Sequence, residues 1–123
     1  MDKLLNLFSF MISMKRPLSV TLISSLFILA GISGIVYHAS EWRDLAEQPE
    51  VILTFIVRLL AIVGGVFALR GNNWARWLLT AWIAYHVVLS FYHATSELAM
   101  HAVLMAVTIV ALFNRKAGLY FNP

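Results

Sequence analysis

Arg58, His86 and His101 interrupt long apolar runs, and Glu97 stands one helical turn before His101 in the stretch Ser90-Phe-Tyr-His-Ala-Thr-Ser-Glu-Leu-Ala-Met-His101. His93, His38 and Glu41 stand at the edges of such runs. Residues three, four or seven apart share a helix face, so His86 lies on the face of His93, and Glu97 on that of His101. At about 1.5 Å of rise per residue, His86 sits roughly 10 Å, and Arg58 roughly 12 Å, inside the boundary marked by His93 and Glu50. All these groups therefore gather toward one end of the apolar runs.

Two kinds of chemistry suit that set. An ionised arginine deep in an apolar layer costs about 2.5 kcal/mol or more, so Arg58 is expected to face neighbouring helices and find an acceptor in Glu97 or a neutral imidazole. The resulting cluster is either a ligand or proton site or a polar knot that fixes helix register. Neutral imidazole is also the commonest metal ligand. His86 and His101, on adjacent antiparallel helices, can hold a haem axially, or join His38 and Glu41 around zinc or copper, with Met105 as a soft ligand for copper(I). The spacing is not specific. No Glu-x-x-His pair of the di-iron type occurs, His38-x-x-Glu41 straddles a helix end, and His38 and His93 also suit interfacial side chains with wet tips.

The elements that carry these residues follow from composition. Of 123 residues, 61% are hydrophobic and 12% charged, and mean hydropathy is +0.82. A soluble domain averages about a quarter charged, so an integral membrane protein is expected. Four apolar stretches long enough to cross a hydrocarbon core are predicted over about 17–39, 51–70, 74–93 and 96–114. They make an all-α, membrane-embedded antiparallel four-helix bundle spanning 17–116, with residues 117–123 as a cytoplasmic tail. In residues 1–16, Asp2, Asn6, Ser9, Ser13 and Arg16 recur every three or four positions, the pattern of an interfacial amphipathic helix. Met14 is an alternative start.

Lys3, Lys15, Arg16, Arg70, Arg76, Arg115 and Lys116 fall on one side of these spans, and most acidic residues on the other. Both termini are therefore expected in the cytoplasm. The net charge of +3 reflects this asymmetry and gives no sign of nucleic-acid binding. The strong bias also argues against families that insert both ways up. With no cysteine, disulfide and thiolate chemistry are excluded. No nucleophile-elbow, phosphate-cradle or zincin pattern occurs.

Gly71 in Arg70-Gly-Asn-Asn-Trp-Ala-Arg76 suits the end of one helix, and Asn72 or Asn73 the cap of the next; Thr95 or Ser96 suits the cap of the last. Gly31 with Gly34, and Gly64 with Gly65, are small-residue patches for close helix approach. Tyr37-His38-Ala39-Ser40-Glu41 and Tyr92-His93-Ala94-Thr95-Ser96-Glu97 hint at a duplicated hairpin, although Arg58 and His86 have no counterparts in the other half.

The turn Arg70-Gly-Asn-Asn-Trp-Ala-Arg76, with the apolar run from Pro17 to His38, resembles small uncharacterised four-span bacterial inner-membrane proteins that carry an Arg-Gly-x-Asn-Trp-Ala-Arg turn. The resemblance implies topology and membrane, and brings no activity. The expected function is a non-enzymatic binding or accessory module, alone, as a homo-oligomer or within a larger membrane complex. A haem- or metal-binding redox protein, and a small membrane enzyme or transporter, are the alternatives.

Overall fold

The computed structural model describes residues 1–5, 16–39 and 48–122. Regular structure among them is helical throughout: α1 (Leu18–Tyr37), α2 (Pro49–Leu69), α3 (Asn73–Ser90), α4 (Thr95–Phe113) and α5 (Arg115–Phe121). Residues 2–5 are also helical, but most of the segment read as an amphipathic helix, and Glu41, lie outside the described residues.

Local chemistry sets the helix ends. Pro17 precedes α1 and Pro49 opens α2, positions at which a missing N–H costs nothing. Gly71 takes φ +82°. Its N–H donates to the Ala68 carbonyl and that of Asn72 to Phe67, each at 3.0 Å, closing α2 as the glycine predicts. The expected side-chain caps do not form. Asn72 holds the N-cap position of α3 without a cap bond, and Asn73 instead accepts from Arg76 Nε at 2.7 Å. Ala94, rather than Thr95 or Ser96, precedes α4, leaving Glu97 as the acid in its first turn.

Three helices, α1, α2 and α4, are long and apolar enough to cross a membrane. The third predicted span forms a helix of 18 residues, α3, but it falls outside that set. Asn73, Arg76, His86 and three tryptophans lower its apolar content.

Close approach of α1 and α2 dominates the packing. A Cβ added at Gly31 would stand 2.6 Å from Ile62 Cγ1 and 2.8 Å from the Arg58 carbonyl; one at Gly65 would stand 2.6 Å from Ile28 Cγ1 and 2.8 Å from the Ser24 carbonyl. The two sites mirror each other across an antiparallel crossing. Helix α3 packs on both α2 and α4, while α1 and α4 meet lightly. Val20, Ile23, Phe27, Leu79, Ile83 and Leu112 fill the centre. Leucines and valines also cover the outside: Leu22 and Leu29 are each 62% exposed and Val110 68%.

The end of the molecule that carries Leu18, Leu69, Asn73 and Phe113, here called proximal, is fastened by polar contacts. The Leu69 carbonyl accepts from Arg16 Nη1 at 3.2 Å and from the Tyr120 hydroxyl. Buried Arg76 donates to the Leu112 carbonyl at 3.2 Å and lies over the rings of Phe113 and Phe121. Ser19 Oγ donates to the Ala111 carbonyl at 3.0 Å and accepts from Asn114 Nδ2 at 3.1 Å, joining α1 to α4. The segment read as a tail thus begins inside α5, whose Ala117 and Phe121 are buried.

Candidate functional site

His86, in the distal half of α3, is held by its own helix. Trp82, one turn earlier, stacks on its ring at 3.8 Å, with 26° between the planes. The Trp82 carbonyl lies 2.9 Å from His86 Nδ1. Trp82 is itself fixed, because its indole N–H donates to the Val57 carbonyl at 2.8 Å and its ring meets Phe27 edge-on.

One turn later Ser90 links the two deep histidines. Its hydroxyl donates to the His86 carbonyl at 2.7 Å, and its oxygen lies 2.6 Å from His101 Nδ1. A serine hydroxyl has one proton. The hydroxyl therefore sits between the His86 carbonyl and His101 Nδ1, and the tautomer of His101 decides which atom of that second pair donates. A carbonyl can only accept, so His86 Nδ1 carries a proton that is given to its own helix, leaving Nε2 for other partners. The ring centres of His86 and His101 are 5.6 Å apart.

Arg58 reaches the same region from α2 across Gly34. A Cβ at Gly34 would stand 2.6 Å from Arg58 Cδ and 2.7 Å from Nε, so the glycine makes the space in which the arginine lies. Among the described residues, neither the Arg58 guanidinium nor the Glu97 carboxylate forms a hydrogen bond or an ion pair.

Arg58, His86, Glu97 and His101 all line one cavity of about 350 Å³. Ile23, Phe27, Ile83, Leu104 and Thr108 line its other end, and the exposed residues Leu26, Ala30 and Met100 form its rim between α1 and α4. A second cavity of about 140 Å³, between α2 and α3, shares Arg58 and His86 as wall. Comparison with protein-family models, curated proteins and solved structures finds no match to this chain.

The geometry sorts the residues singled out from the sequence. Arg58, His86, Glu97 and His101 come together at the cavity. His93 is exposed in the turn between α3 and α4, and His38 caps α1 with its ring edge-on to Tyr37; neither lines the cavity. Met105 packs against the apolar core, and Met100 is the methionine at the rim. No group of three or more histidine, aspartate or glutamate side chains able to hold a metal occurs among the described residues. Ser90, Trp82 and Gly34 were not singled out as site residues. Trp82, His86 and Ser90 recur every four residues on one face of α3, which is the signal that could have found two of them.

Proposed function

We propose that the chain is a four-helix bundle embedded in the bacterial inner membrane, acting as a non-enzymatic binding module whose ligand enters the cavity between α1 and α4. The observation that carries this reading is the convergence of Arg58, His86, Glu97 and His101 on that one cavity. Ligand sites combine mostly apolar walls with a few placed polar groups, which is the composition here. Three long apolar helices and their exposed leucines and valines support the membrane setting, and the Arg-Gly-x-Asn-Trp-Ala-Arg turn supports the bacterial one. A role as a subunit of a larger membrane complex is part of the same reading.

The test is purification in mild detergent, followed by mass spectrometry of bound small molecules and of companion proteins. The wild-type chain is expected to carry a small molecule that Ala30→Trp, at the cavity rim, loses. Identical small-molecule content in the two proteins would overturn the reading.

A metal or haem site is the second reading, and the closeness of the two imidazoles favours it. A metal–nitrogen bond of about 2.0–2.1 Å, with roughly 1.1 Å from nitrogen to ring centre, lets two imidazoles share one ion with centres up to about 6 Å apart. Their 5.6 Å separation fits that limit. Two ligands are fewer than the four of a closed structural site. A Soret band or stoichiometric metal in the purified protein would put this reading first.

A further inference from the structure

We infer that the ligand is an anionic phospholipid, with its phosphodiester on Arg58, its headgroup hydroxyls on His86 and His101, and one acyl chain lying along the seam between α1 and α4. The inference rests on the reading of the cavity as a ligand site and names the class of molecule that fits it.

Polarity along the cavity is graded. From Glu97 to Thr108 its α4 wall runs about 16 Å at about 1.5 Å per residue. The charged and imidazole groups stand at the distal end, and Ile23, Phe27, Ile83 and Leu104 at the other. An amphiphile has that gradient; a free ion does not. The rim at Leu26, Ala30 and Met100 opens sideways between two helices long and apolar enough to cross a membrane, so it faces acyl chains.

Charge and hydrogen-bond direction narrow the head. Arg58 is a cation with no hydrogen-bond or ion-pair partner among the described residues, and guanidinium pairs best with phosphate or carboxylate oxygens. The His86 Nδ1–H is given to the Trp82 carbonyl, so the neutral ring offers Nε2 as an acceptor, and a ligand that brings a donor as well as an anion fits best. A glycerol headgroup on a phosphodiester supplies both. Choline supplies no donor and adds a positive charge near Arg58. A neutral quinone supplies no donor and leaves Arg58 without a counter-ion. Glu97, exposed at the distal end of the cavity, is an acceptor for a headgroup hydroxyl.

Native mass spectrometry of the full chain in a neutral detergent tests this, with phosphatidylglycerol, phosphatidylcholine of the same chains, and inorganic phosphate as separate probes. Retention of phosphatidylglycerol over phosphatidylcholine is expected to be about tenfold or more, the scale of a charge-assisted hydrogen bond. Arg58→Gln is expected to fall to the phosphatidylcholine level, while Arg58→Lys keeps most of the preference. Inorganic phosphate is expected not to bind. Equal retention of the two lipids by the wild type, an Arg58→Gln variant that is folded by circular dichroism and keeps the preference, or phosphate binding as tight as the lipid would each overturn the assignment. Ala30→Trp separates this failure from that of the cavity reading. Where the wild type holds the two lipids equally, loss of both in Ala30→Trp keeps the cavity and drops the anionic assignment alone, and retention of both drops the cavity reading as well.

Discussion

Ser90 shows how much one hydroxyl decides in an apolar setting. It ties α3 to α4 through His101 Nδ1 at 2.6 Å while bonding the His86 carbonyl of its own helix. Ser90→Ala removes the hydroxyl shared by the His86 carbonyl and His101 Nδ1, and about 1–2 kcal/mol of stability is expected to go with it. Unfolding of the detergent-solubilised protein measures the loss, and the nitrogen-15 chemical shift of His101 Nδ1 should move. An unchanged shift would refute the contact between Ser90 and His101. Much of the candidate site was legible in the sequence, because depth and helical face depend only on residue spacing. Arg58, His86, Glu97 and His101 were found that way. Met105 was not separable from them by spacing: it is one turn from His101, yet a single residue step turns a helix by about 100°, and Leu104 rather than Met105 faces the cavity. Nor did spacing reveal that Gly34 clears the path of Arg58, since that contact joins two helices whose register no single helix encodes.

At the scale of the elements, proline and glycine mark several ends of the four long helices: Pro17 before α1, Pro49 at the start of α2 and Gly71 after it. The capping residues were less legible: once tertiary bonds compete, Asn73 serves Arg76 and not its own helix end. Crossing of α1 on α2 was readable as small-residue patches, and the geometry gives it a size. Gly31→Ala drives a methyl against a backbone carbonyl, which cannot swing aside, and is expected to cost about 1–3 kcal/mol. Gly118→Ala in α5 meets nothing within 4 Å and is expected to be neutral or to stabilise by up to about 1 kcal/mol. Parallel unfolding of the two variants checks both, and equal effects would count against the close crossing. Helix α5 had no sequence signal of comparable strength, because its seven residues dock through Phe121 and Tyr120 on partners far away in the chain.

For the whole molecule, the charge asymmetry makes an orientation measurable. The chain has no cysteine, so a single introduced one can be labelled without background. In sealed right-side-out vesicles, a membrane-impermeant maleimide is expected to react at His93→Cys and to spare Asn122→Cys until the vesicles are opened. The reverse pattern would invert the topology. The way the two ends are secured has a mechanical outcome. Ser19 and Asn114 rivet α1 to α4 near one extremity, whereas toward the other extremity each of these two helices leans on a different neighbour, α1 on α2 at Gly31 and Gly34 and α4 on α3 through Ser90 and His101. Cutting the rivet with Ser19→Ala is therefore expected to loosen α1 from α4 while leaving both of those outer pairings in place.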